Sequence, residues 1–282
     1  MNTKEAYSNF ATSTNLANSG KASSYIRALD LLSEMIEAVP MGFSDCEDIW
    51  SPPPIERLNQ LYHFVCEEKK KGTKSKWNLP NLPKSYLQNG YCSAALRDYQ
   101  SFLVEHRHEQ SLLEEFSKHN GTEDEAVRHL EREIEIPPFL LEDIADVEGK
   151  EVMRMVKARS NQRVFQKIVR SNYGQACCIT GIEVPEVNRA SHIIPWAKNK
   201  ETRMDPRNGL YLSATYDAAF DRNLLSLDED FRVILSNDLK DHYTSESTKI
   251  HFLSKEGQKI RLPKSFLPKQ EFLETHRRNG NF

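Results

Sequence analysis

The pattern of the chain changes near residue 151, where a basic helix leads into short strand-like segments, and that change limits the fold more than any other feature of the chain. Before it, apolar residues recur at three- and four-residue steps, the spacing of amphipathic helices. Ile26, Leu29, Leu32 and Ile36 form such a stripe in residues 24–37, with serines in front to cap it. Pro52-Pro53-Pro54 opens a second helix carrying Ile55, Leu58, Leu61 and Val65. Residues 72–90 read as a Lys-, Asn- and Pro-rich loop, and residues 93–116 as a third helix with Leu96, Tyr99 and Leu103 on one face. Breaks follow at Asn120-Gly121 and Pro137-Pro138, then a helix over 152–173 that Gly174 ends. From there the pattern shortens. Strands are expected at 178–180, 187–194, 224–227 and 232–235, the last two flanking Asp228-Glu229-Asp230, and a short helix at 213–222. The expected class is α+β: a helical N-terminal domain (1–118), an acidic linker (119–150), a strand-containing domain (151–240) and a C-terminal extension packed on it (241–282).

Charge is segregated in the same way. The net charge is only −3. Residues 105–150 hold fourteen Asp or Glu against five Lys or Arg, and residues 151–203 hold ten Lys or Arg against four Glu. Residues 69–84 contain six lysines and no acid. A basic face can sit inside a near-neutral total, although solvated helix faces produce the same segregation. The five cysteines include no C-x-x-C pair, which disfavours a disulfide scaffold or a four-cysteine zinc site. No apolar run approaches the ~18 residues of a membrane span, and residues 1–10 lack a secretory apolar segment. The expectation is a cytoplasmic protein with no membrane partner.

The glycine fingerprints of nucleotide sites, the G-x-S-x-G elbow and the H-E-x-x-H zinc helix are all missing from the sequence. What stands out is a run of three segments: A-S-H-I-I-P-W from Ala190, D-P-R-N-G-L from Asp205 and D-A-A-F-D-R from Asp217. Asp217 and Asp221 are four apart, so on a helix both carboxylates project from one face. Two carboxylates placed so repel each other unless a cation sits between them. Oxygen ligands with incomplete protein coordination suit Mg²⁺, or Mn²⁺, which takes waters and phosphate oxygens as further ligands. His192, at a strand end before Pro195, can accept a proton near neutral pH. Asn208, in the loop ahead of the helix, can bridge backbone groups and hold the His192 loop against that helix.

These segments, together with Cys177-Cys178-Ile179-Thr180-Gly181, resemble the HNH endonucleases, most closely the branch of restriction-type enzymes, and occur in the same order. The resemblance spans residues 157–236 and implies a C-terminal ββα-metal nuclease domain. It assigns the general base to His192, the central asparagine to Asn208 and the metal-helix positions to Asp217 and Asp221. Many relatives carry Asp or His as a metal ligand where Ser191 stands, and some carry His at Tyr216. The family's zinc-binding cysteine pairs are missing, and Cys177 and Cys178 read as small core residues.

The function expected is metal-dependent hydrolysis of DNA phosphodiester bonds in bacterial restriction or phage defence. Double-stranded DNA is the expected partner, and a homodimer is compatible with it. Lys69, Lys70, Lys71, Lys74, Lys76 and Arg222 are the candidate DNA contacts. A non-catalytic DNA-binding protein that keeps the ββα module is the alternative, and an RNase or toxin is a weaker one.

Overall fold

The computed structural model describes residues 2–14, 20–130, 134–140, 146–242 and 245–282, with backbone alone at 146–153 and 242. The chain forms two compact units. Met1–Arg107 with Ile134–Met153 makes the first, and His108–Glu133 with Arg154–Phe282 the second. Among the described residues no helix is long and apolar enough to cross a membrane.

The first unit is helical: α1 (Thr3–Thr14), α2 (Lys21–Ala38), α3 (Ile55–Lys70), α4 (Lys84–Gln88) and the start of α5 (Tyr91–Lys118). The expected stripes are its core. Leu29, Leu32, Ile36, Leu58, Leu61, Val65, Leu96, Tyr99 and Leu103 are all buried in one cluster. Helix α1 had no strong periodic signal, yet Tyr7 is fully buried and sets its ring edge-on to Tyr99 at 5.2 Å. Residues 72–90, expected as loop, contain α4, which Leu87 anchors in the core.

The second unit begins with the end of α5 and α6 (Glu123–Leu130), and resumes at Arg154 within α7 (Asp146–Asn172), whose start belongs to the first unit's segment. The stretch expected as an acidic linker is thus shared: α6 belongs to the second unit and Ile134–Met153 to the first, while 131–133 and 141–145 lie outside the described residues. Helix α7 ends as its sequence suggests. Gly174 takes φ +62°, and the Gln175 amide donates back to the Arg170 carbonyl at 2.8 Å.

Beyond α7 three expectations need correction. Residues 178–180 form a turn instead of a strand, because Gly181 at φ +74° lets its amide donate to the Cys177 carbonyl at 2.9 Å. The strand at 187–194 is cut to β1 (Asn188–His192), with a 3-10 turn at Pro185–Val187 before it. Its partner is β2 (Gly209–Ser213), which was not expected at all; the pairing is antiparallel, with Ser191 opposite Leu210 and His192 opposite Gly209. All five β2 residues are buried, so no alternation marks the strand in the sequence. β2 runs directly into α8 (Ala214–Asp221). β3 (Leu225–Leu227) and β4 (Val233–Leu235) form the expected hairpin, whose turn is tied by amides of Asp230 and Arg232 donating to the Asp228 carboxylate. α9 (Asn237–His242), α10 (Glu246–His251) and α11 (Gln270–Arg277) complete the unit, with 243–244 outside the described residues. Its core joins Phe165, Ile168 and Val169 of α7 to Leu210, Leu212, Phe220, Leu225 and Leu273, and buries Cys177 and Cys178 as small apolar groups.

Candidate active site

The close approach of α7 to the hairpin sets the first wall of the site. A Cβ on Gly209 would lie 2.5 Å from a Val169 methyl and 3.0 Å from the Phe165 ring, so only glycine fits there. Opposite Gly209, the His192 imidazole lies flat on the Phe165 ring, with centroids 3.8 Å apart and planes 14° from parallel. Trp196 meets its edge at 5.4 Å. Two aromatic rings therefore fix the plane of the imidazole.

Its tautomer is fixed by the backbone. His192 Nε2 lies 3.0 Å from the Arg203 carbonyl oxygen, which can only accept, so Nε2 carries the proton and the Nδ1 lone pair is left available. Burial pushes the imidazole below the usual histidine range; the Arg203 carbonyl bond opposes this, and the Arg203 charge adds to the lowering. The neutral base form consequently persists to lower pH than for a free imidazole. Arg203 is itself held: its Nε donates to the Trp196 carbonyl at 2.7 Å, and its guanidinium sits 5.1 Å from the centre of the Trp196 ring.

Asn208 closes the same loop. It is fully buried; its Oδ1 accepts from the Ile194 amide at 2.7 Å, and its Nδ2 donates to the carbonyls of Ile194 (3.1 Å) and Thr202 (3.0 Å). The backbone adds a bond from the Ile193 amide to the Asn208 carbonyl at 2.9 Å. One short uncharged amide thus supplies an acceptor and two donated bonds at once. Next to it, Arg207 is clamped by Asp205 at 2.9 Å and by Asp124 of α6 at 2.7 Å. Burial would lower the Arg207 guanidinium, but these two carboxylates outweigh it and hold it above its ordinary value.

Asp217 and Asp221 lie on α8, one turn apart as their spacing requires. Partial burial of the Asp221 carboxyl, and then the Asp217 charge beside it, raise it above the usual carboxylate range; Arg222 opposes this. A cation between the two would relieve that repulsion. Among the described residues no group of three or more His, Cys, Asp or Glu side chains could hold a metal, so a cation here would have two carboxylates and complete its shell with other oxygens. That donor set fits a hard divalent ion that keeps several waters. Ser191, paired with Leu210, is buried, and among the described residues its Oγ has no hydrogen-bond partner. Tyr216 faces elsewhere, its hydroxyl donating to the His251 carbonyl.

The lysine run lies in the first unit. Lys69, Lys70, Lys71, Lys74 and Lys76 are all exposed; Lys70 pairs with Glu67 at 2.7 Å and Lys71 with buried Glu68 at 2.5 Å. Arg222, in the second unit, is exposed and donates to the Ala218 carbonyl at 3.0 Å.

Three contributors escaped the sequence. Phe165 was one apolar residue in a helix, the Arg203 carbonyl is backbone with no sequence signature, and Asp124 sat in a stretch that reads as solvated acid. Only Phe165 had a usable signal, its place among Val164, Ile168 and Val169 in the helical stripe.

Residues 177–228 match the family model described as HNH endonuclease. His192, Asn208, Asp217 and Asp221 all fall inside the matched segment, which is similar to the HNH endonucleases, a family of nucleases. No curated protein matches the chain.

Proposed function

We propose that the chain is a metal-dependent DNA endonuclease of the restriction-type HNH branch, acting in bacterial restriction or phage defence. The hairpin of β1 and β2 with α8 is read as its ββα-metal unit. One observation carries the proposal above the others: within the HNH-matched segment, the Nε2 proton of His192 is committed to the Arg203 carbonyl, so Nδ1 is a base of fixed direction.

In this scheme His192 Nδ1 takes the proton of a water that attacks the scissile phosphorus, a role worth roughly 10²- to 10⁴-fold in rate. Phe165 and Trp196 keep the ring from turning, and the lowered basicity keeps it unprotonated at neutral pH. Asn208 holds the loop that carries the Arg203 carbonyl. Asp217 and Asp221 would hold Mg²⁺ or Mn²⁺. Such an ion, when bound, supplies positive charge to a non-bridging phosphate oxygen and to the leaving 3′ oxygen. Lys69, Lys70, Lys71, Lys74, Lys76 and Arg222 are assigned to backbone phosphates of double-stranded DNA.

A non-catalytic DNA-binding module is the second reading. The observation that favours it is Ser191, a hydroxyl where many relatives have an ionic ligand, together with the lack, among the described residues, of any metal-holding group larger than two carboxylates. Nicking of supercoiled plasmid separates the two. The nuclease converts it to open circles only when Mg²⁺ or Mn²⁺ is added; no conversion with either ion, despite duplex binding, leaves the binding module.

A further inference from the structure

Helix α7 and the hairpin touch at Gly209 and separate toward the start of β1, and the gap is lined with cations. Arg163, Lys167 and Arg170 on α7 face Asn188 and Arg189 of β1 and Tyr211 of β2 across a cleft of about 510 Å³. A second hollow of about 470 Å³ is bordered by Lys167, Arg170 and Lys264, and a third of about 540 Å³ again by Lys167 and Lys264. Shared walls make the three one trough along α7.

Buried Glu109 pairs with two of the cations, Arg163 at 2.5 Å and Lys167 at 3.2 Å. Among the described residues Arg170 donates to the Gln175 side-chain oxygen, and Arg189 to the carbonyls of Glu186 and Asn188. Among the described residues neither these two nor Lys264 has a carboxylate in ion-pair range. The third hollow does hold an acid, Glu123, whose Oε1 accepts from the Phe266 amide at 2.7 Å. The cations form a row and do not converge on one point: residues 163, 167 and 170 share a face of α7 over nearly two turns, about 10 Å. A row fits a chain of phosphates better than one phosphate. Ala190, in the cleft wall, lies on the same side of β1 as His192 and one pleat repeat, roughly 7 Å, away from it.

We propose that this trough holds the sugar–phosphate backbone of duplex DNA beside the scissile phosphate, leading it away from His192; the assignment rests on the nuclease reading. Arg170, Arg189 and Lys264 are then phosphate contacts that fix the register of the substrate without reading bases.

The test is duplex binding by the full chain without divalent metal, followed by fluorescence anisotropy of a labelled duplex across a salt series. The variants are Arg170→Gln, Arg189→Gln, Lys264→Gln and the triple, with Lys74→Ala/Lys76→Ala in parallel. The triple should bind every duplex sequence more weakly, and each lost contact should flatten the log-affinity against log-salt slope by about 0.9. Arg189→Glu, a single change at an exposed position, should weaken binding further than Arg189→Gln. A triple variant with wild-type affinity and slope overturns the trough. Plasmid nicking by the wild type, measured separately, tells the failures apart: nicking with an unaffected triple overturns the trough alone, and a wild type that neither binds nor nicks duplex overturns both. Loss of binding to an RNA hairpin but not to duplex overturns the assignment to DNA.

Discussion

The Arg203 carbonyl oxygen lies 3.0 Å from Nε2 of His192, and through that contact the loop decides which imidazole nitrogen is basic. Burial then sets when it is basic, by lowering the imidazole below its ordinary range. Single-turnover cleavage at saturating metal should rise with pH along a limb of unit slope whose midpoint lies below about 6.5, and level off above it. His192→Ala should lose that limb. A midpoint at or above the ordinary histidine value contradicts the geometry.

Asn208 supplies three hydrogen bonds to backbone groups from a fully buried amide. Asn208→Ala leaves an N–H and two carbonyls without it, a loss of about 3 kcal/mol or more at 1–3 kcal/mol for each buried group. Denaturant unfolding of the Trp50→Phe/Trp77→Phe background, which leaves Trp196 as the fluorophore, would report it. A loss under about 1 kcal/mol means that the loop is held by other contacts.

Ser191 gives a test that does not depend on turnover. Among the described residues its Oγ is buried without a partner, so Ser191→Asp places a carboxylate in a site with no hydrogen-bond donor prepared for it. Without divalent ion the variant should melt well below the wild type. Added Mn²⁺ should restore most of the loss and bring half-maximal activity at lower metal. A melting temperature indifferent to Mn²⁺ means that the position does not face the ion.

The C-terminal end of α8, next to Asp221, is pinned by a second buried histidine. His276 of α11 stacks on Phe220 at 3.8 Å, its Nε2 donates to the Phe220 carbonyl at 2.9 Å, and its Nδ1 accepts from Ser226 at 2.9 Å. Burial holds this imidazole below its ordinary value; the Phe220 bond opposes that shift, and nearby cations add to it. The unfolded chain then takes up a proton below about pH 6.5 that the folded one resists. Its contribution is complete above that pH and fades as the pH falls. His276→Leu should be less stable than wild type at pH 7 and should depend less on pH between about 7 and 5.5. An unchanged pH dependence would show that His276 does not titrate with unfolding.

What the sequence could disclose followed from how each residue earns its position. The stripes of α2, α3 and α5 were legible because each packs one face on a core. The four candidate site residues stood out as spacings, since two lie one helical turn apart and two bracket a loop. Strand β2 was hidden because Gly209–Ser213 is buried on both faces and lacks alternation. The Asp124–Arg207 ion pair joins residues far apart in sequence, so the acid on α6 looked like solvated charge. The Arg203 carbonyl belongs to the backbone, and no side chain announces it.

The most direct measurement is plasmid nicking titrated with Mn²⁺ for the wild type, His192→Ala and Asp217→Ala, with duplex binding measured alongside. The account predicts that His192→Ala binds DNA normally and cuts roughly 10²- to 10⁴-fold more slowly with an unchanged metal midpoint. Asp217→Ala should also bind DNA but need far more metal for half-activity. Asp217→Ala cutting normally at wild-type metal levels, or His192→Ala shifting the metal midpoint, would contradict it.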